Sequence, residues 1–319
     1  MSVAFSACQS YPVGRLGWRA AFPKTRAAKI KRAANRRISP MARERIMVTL
    51  QGDEKDRATV EAAARLARGI GATLDGLFVE PDASAYLMWT GPGVAAATVM
   101  AGAVDSIREE SDRCADEAKQ TFSDVLSGFD SLAADGRFYR VSGTVSEVAV
   151  EARLARYVVT DPQSMAGNGP LADFITAVLI DEQVPVIAAR AGMMPPETIH
   201  IAWDGSKEAA RAAAGAAPLI ANAKRVMVLQ SDKGLDYSDR RSAPPERLID
   251  WLADLGCRAG TIDIDEADDV GEAILDSSKG ADLIVAGAYG HSRLREFVFG
   301  GVTRSLFQAV DGPSLLAAH

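Results

Sequence analysis

Ile46-Met47-Val48-Thr49-Leu50-Gln51-Gly52 and, 153 residues later, Ile199-His200-Ile201-Ala202-Trp203-Asp204-Gly205 are two versions of one pattern, a short apolar run ended by a glycine turn. An Ala-rich stretch of helical composition follows each turn, 62–68 in one copy and 209–220 in the other. A second apolar run comes next, at 74–79 and at 225–230. Further along, Val145-Ser146-Glu147-Val148 answers to Val270-Gly271-Glu272-Ala273, and Tyr157-Val158-Val159 to Leu283-Ile284-Val285. The offset there falls to 125–126, so the first copy carries about 27 extra residues, which lie around 81–107. Both copies close on a strand containing proline, 184–188 and 313–317.

Self-similarity at a long, fixed offset marks a duplicated structural unit. Each copy reads β-α-β-α-β-α-β-α-β, and strands alternating with helices predict a parallel sheet covered on both faces. The expected fold is therefore α/β, with two doubly wound parallel five-stranded sheets in tandem and flanking helices. Residues 43–192 and 197–319 are the expected domains. Their apolar last strands need partners, which predicts an internal pseudo-dimer joined through those strands, open to further self-association.

Composition narrows the function. Of the 36 Lys/Arg, nine lie in residues 1–40, which hold no acid; the remainder sets 27 cations against 42 carboxylates, a net of −15. A body that acidic is a poor match for phosphate backbones, so nucleic acid is not an expected partner. Residues 1–42 form a basic extension, expected to be disordered or, if translation starts at Met41, not translated. Arg15, Arg19 and Lys24 interrupt any apolar core a secretory signal would need. The weakly polar run 91–104 is too short to span a bilayer. Cys8, Cys114 and Cys257 are far apart, as are His200, His291 and His319, so neither a disulfide framework nor a metal site is expected. These readings point to a cytoplasmic protein.

The informative loop follows the fourth strand of the second copy: Gly287-Ala288-Tyr289-Gly290, nine residues, then Gly300-Gly301. Glycines after a buried strand let backbone N–H groups approach an anion, and a helix starting near Gly301 would aim its positive end at the same point. In the first copy Gln51 stands in place of Asp204, and Asp161 and Ser164 in place of Gly287 and Gly290. A carboxylate there repels phosphate, so the first copy is expected to be structural. Arg293 and Arg295 lie within the loop, either reaching for phosphates or simply solvated. Trp89-Thr90-Gly91-Pro92-Gly93 in the insertion is expected to be a surface loop, and 108–119 the charged face of a helix.

Gly-x-x-Gly, nine residues and Gly, in a domain whose first strand ends in Trp203-Asp204-Gly205-Ser206, resembles the universal stress protein family in its tandem form. The resemblance runs over 43–319, by motif in the second copy and by organisation in the first. It implies an adenine nucleotide, ATP or AMP, in the second copy. Asp204 would contact the nucleoside, the backbone near Leu229 would lie beside the adenine, and Gly287, Gly290, Gly300 and Gly301 would serve the phosphate side. Gly301 departs from the family's nucleotide binders, which carry Ser or Thr there. One hydrogen bond to a charged group is worth roughly 1.5–3 kcal/mol, so the missing hydroxyl would cost about tenfold or more in affinity.

With no Walker lysine motif, no magnesium-binding carboxylate pair beside the loop and no nucleophile–base pair, no catalytic residue is assigned; any ATP hydrolysis should be slow. The expected role is a stress-response protein acting through protein partners. The alternative is a dimerising scaffold of the same fold without nucleotide. A nicotinamide or flavin enzyme is disfavoured, because the Asp204-Gly205-Ser206 turn lacks the GxGxxG fingerprint.

Overall fold

Arg45–Leu50 (β1) is buried from its second residue onward, with no polar-apolar alternation. That is what a strand covered by helices on both faces requires. In this computed structural model the described residues are 43–80, 94–190, 192–230, 242–264, 269–289 and 301–319, without the side chains of 94–105. The basic extension, the expected surface loop at 89–93, Gly290, Arg293, Arg295 and Gly300 fall outside them.

After β1 the first repeat continues through Asp56–Ile70 (α1), Thr73–Val79 (β2), Val94–Ser127 (α2), Asp130–Ala133 (α3), Arg137–Val141 (β3), Val145–Ala149 (α4), Tyr157–Thr160 (β4), Pro162–Met165 (α5), Ala172–Ile180 (α6) and Val186–Ala188 (β5). The second runs Thr198–Ala202 (β6), Lys207–Gly215 (α7), Ala217–Ile220 (α8), Arg225–Gln230 (β7), Pro245–Asp254 (α9), Ala259–Asp263 (β8), Val270–Ser277 (α10), Leu283–Gly287 (β9), Gly301–Gln308 (α11) and Ser314–Ala318 (β10). The largest difference between the repeats is α2, at 34 residues against 10 for α9. The charged stretch 108–119 is helical, with Arg113 bridging Glu110 and Glu117.

The strands form one sheet in the order β3-β2-β1-β4-β5-β10-β9-β6-β7-β8. Within each repeat neighbouring strands are parallel, in the doubly wound order with the first strand central. In place of the two five-stranded sheets expected, there is a single ten-stranded one. Antiparallel pairing of β10 with β5, Leu315 opposite Ala188 and Ala317 opposite Val186, fuses them into a ten-stranded whole. The physical reason lies in the strands themselves. All three residues of β5 and all five of β10 are buried, and leaving such edges unpaired would expose apolar ladders.

Arg43–His319 is accordingly one compact unit. Both apolar layers, one on each face, draw on both repeats: Val159 shares one with Ile201, and Val158 shares the other with Ile284 and Leu315. Polar contacts cross the seam too. Tyr157 Oη and Arg156 Nη2 both donate to the carbonyl of Gly215, at 2.7 and 3.1 Å. Burial pushes the Tyr157 phenol up to about 12, so it remains a donor at any ordinary pH.

Candidate functional site

In the second repeat β6 stops at Ala202 and the chain turns through Trp203-Asp204-Gly205-Ser206. Trp203 is buried; its backbone N–H donates to the Leu229 carbonyl at 2.9 Å and its indole to the Ala243 carbonyl at 3.1 Å. Gly205 has φ of +72°, and a Cβ there would sit 2.5 Å from the Ala243 oxygen, so only glycine fits. Ser206 caps α7, its Oγ accepting from the Ala209 N–H at 3.1 Å. The result leaves the Asp204 side chain exposed at the carboxyl end of β6, where one oxygen accepts from the Ser206 N–H at 2.9 Å.

Leu229 is buried one strand away on β7, its carbonyl engaged in the ladder to Trp203. Gly287 ends β9 on the other side of β6. Asp204, Leu229 and Gly287 therefore stand at the carboxyl ends of three adjacent strands, the position where doubly wound sheets hold ligands. A Cβ on Gly287 would lie 2.5 Å from the Ala209 nitrogen and 2.7 Å from the Glu208 carbonyl carbon. The close approach this glycine permits is thus that of the first turn of α7.

Beyond Gly287, Ala288 is pinned by its N–H to the Ala318 carbonyl at 2.8 Å, and its own carbonyl accepts from His319 Nδ1 at 3.0 Å. Tyr289 adopts the left-handed region, φ +62°, which only a few per cent of non-glycine residues visit. Its ring packs edge-on to Phe307 and to His319, with centroids 6.1 and 6.3 Å apart, and burial pushes its phenol up to about 12. Gly301 opens α11, and among the described residues nothing lies within 4 Å of where its Cβ would be. Lower in α11, Ser305 Oγ donates to Asp269 at 3.0 Å. Asp269 also caps α10 through the N–H groups of Glu272 and Gly271, and these bonds hold its carboxyl below the ordinary range.

The equivalent place in the first repeat is filled by the chain itself. Asp161 accepts from the N–H groups of Gln163 and Ser164 at 2.8 and 3.1 Å, from Ser164 Oγ, and from Gln51 Nε2 at 3.0 Å. A second carboxylate, Asp56, takes the N–H groups of Gln51 and Gly52 at 2.9 and 2.7 Å. Burial pushes Asp56 up to about 6 despite those bonds. The backbone of α2 crosses the turn, so that a Cβ on Gly52 would lie 2.3 Å from the Cys114 oxygen.

Several of these residues escape a motif-based reading. Asp56 has a detectable signal, since at the same offset the second copy carries Ala209, but Tyr289, Phe307 and His319 converge only through the fold. Among the described residues no helix is long and apolar enough to cross a membrane.

No protein-family model matches the chain, and no curated protein matches it. Among solved structures it is similar to a universal stress protein from Archaeoglobus fulgidus DSM 4304, with 14% identity over 86% of this chain and 97% of that one and a TM-score of 0.60. A functionally unknown protein from Pseudomonas aeruginosa PAO1 matches 87% of this chain and 92% of its own at 15% identity, with a TM-score of 0.44. At 14% identity the first likeness establishes the fold: the chain shares the α/β fold of that universal stress protein over most of its length.

Proposed function

We propose that this chain is a cytoplasmic stress-response protein that binds one adenine nucleotide, ATP or AMP, in its second repeat and acts through protein partners. One observation carries the reading: the contrast between the two strand ends. In the second repeat Asp204 is exposed at the carboxyl end of β6, and α11 begins at Gly301, whose Cβ position has no neighbour within 4 Å among the described residues. In the first, two carboxylates, Asp161 and Asp56, are turned onto the chain's own amides at the matching strand ends. An exposed carboxylate suits the hydroxyls of a nucleoside, and the start of a helix suits phosphate. The glycines of the loop, Gly287, Gly290, Gly300 and Gly301, would serve the phosphate side, and the backbone near Leu229 would lie beside the base.

Gly301→Ser is the informative variant, because among the described residues nothing lies within 4 Å of the added Cβ. Titration calorimetry with ATP, ADP and AMP on wild-type protein and this variant tests the reading. Tighter binding by the variant supports it, and silence from both defeats it. Silence would favour a dimerising scaffold, a reading for which Gly287 speaks. The first turn of α7 demands glycine at that position whether or not a nucleotide binds.

A further inference from the structure

We infer that Arg190, a residue of the first repeat, is a positioning residue for the phosphate side of the second repeat's site; this rests on the nucleotide reading above. Arg190 follows β5 at the seam and is only 8% exposed. Its backbone N–H donates to Ser314 Oγ at 3.1 Å, and its Nη2 donates to the carbonyl of Ala309. It therefore grips both ends of the turn that joins α11 to β10. Ala309 immediately follows α11, so the guanidinium sits where the helix presents its negative end.

The helix is short. Eight residues at 1.5 Å each make about 12 Å, the distance from the Arg190 anchor back to Gly301. Over that length α11 behaves as a rod, and displacement of one end reaches the other. Its apolar side also rests on the first repeat, with Leu306 and Phe307 sharing a buried cluster with Met165 of α5. Phe307 in turn holds Tyr289, one residue before Gly290.

Arg190 is an expensive way to fill this space. Its Nε and Nη1 have no hydrogen-bond partner among the described residues, and no carboxylate bonds to it there. Burying a charged group carries a desolvation cost that an apolar residue of similar volume would not incur. Space-filling alone would therefore be served at least as well by methionine. What methionine cannot do is hold the Ala309 carbonyl and so fix where α11 begins.

The test compares ATP with adenosine by calorimetry on the full chain, in wild-type protein, Arg190→Met and Arg190→Lys. Hydrogen exchange of amides 301–309 is measured without nucleotide. Arg190→Met should bind ATP about tenfold more weakly, within the 5–150-fold usual for coupled sites. Its adenosine affinity should change less than about twofold, its melting temperature should hold, and amides 301–309 should exchange faster. Arg190→Lys, which keeps a donor and a charge, should recover most of the ATP affinity. Equal losses for ATP and adenosine, or unchanged ATP affinity and exchange, would overturn the assignment. If wild-type protein binds no ATP, the nucleotide reading falls separately. Exchange at 301–309 in Arg190→Met then decides whether Arg190 anchors the helix. Should Arg190→Met not fold, Arg190→Gln is held to the same outcomes.

Discussion

Replacing Gly287 by alanine adds one methyl group at the point where β9 meets α7. The new Cβ would lie 2.5 Å from the Ala209 nitrogen, 2.7 Å from the Glu208 carbonyl carbon and 3.0 Å from Glu208 Cβ. Comfortable heavy-atom contacts are about 3.5–4.0 Å, so strand and helix must separate by about 1 Å. Neither can yield easily. Gly287 is paired in the sheet opposite Ala318, and the first turn of α7 is fixed by the bond from the Ala209 N–H to Ser206 Oγ. Overpacking of this kind costs about 1–3 kcal/mol. At about 2–4 °C per kcal/mol for a body of this size, the melting temperature should fall by roughly 2–12 °C. Thermal unfolding followed by circular dichroism measures it, with Gly301→Ala as the control, because that methyl meets nothing within 4 Å among the described residues. If Gly287→Ala melts with wild type, the helix is not pressed on the strand end. The glycine would then owe its place to a ligand alone. If it melts early, Gly287 variants are unfit to test binding and Gly301 is the cleaner probe.

Two further outcomes follow from buried polar groups. Tyr157→Phe removes a 2.7 Å bond to the Gly215 carbonyl, but that oxygen keeps its bond from Arg156, so the loss should be about 0.5–1.5 kcal/mol in urea unfolding. No loss would mean the seam does not use this bond. Asp56 stands at about 6 in the folded chain against 3.8 for a freely solvated aspartate, so the folded state binds its proton more tightly. The stability this confers is fully present below pH ~4 and is lost as pH rises through about 6, amounting to about 3 kcal/mol. Urea unfolding should therefore show Asp56→Asn gaining on wild type between pH 4 and pH 6 and holding level above. A difference that does not change with pH would refute the burial of this carboxyl.

The architecture was legible because its signals are repeated. Apolar runs such as 199–202 and 225–229, read in both copies, leave little choice but a parallel sheet, and β7 occupies the residues its pattern indicates. The pairing of the last strands also followed from their composition, since neither β5 nor β10 carries an edge-protecting charge. That the pairing would merge the halves into one sheet did not follow, because strand number per sheet depends on edge geometry that pattern does not encode.

The candidate site was legible in part. Asp204 and Gly301 declare themselves by spacing. The second cause for Gly287 is a helix turn some 80 residues away in sequence, and the crossing of α2 over Gly52 joins residues about 60 apart. Contacts at such separations leave no local trace. Tyr289 is a sharper case, since its ring in the left-handed turn packs on Phe307 and His319, residues 18 and 30 positions away.

The most direct test of the central claim is the stoichiometry and affinity of ATP binding by calorimetry on the full chain, with Asp204→Ala and Gly301→Ser alongside wild type. One nucleotide per chain is expected. Asp204→Ala should bind about 10–150-fold more weakly, the loss of an acceptor worth roughly 1.5–3 kcal/mol, and Gly301→Ser should bind more tightly. Two nucleotides per chain would contradict the closure of the first repeat by Asp56 and Asp161. No heat from wild type or Gly301→Ser with ATP, ADP or AMP would contradict nucleotide binding altogether.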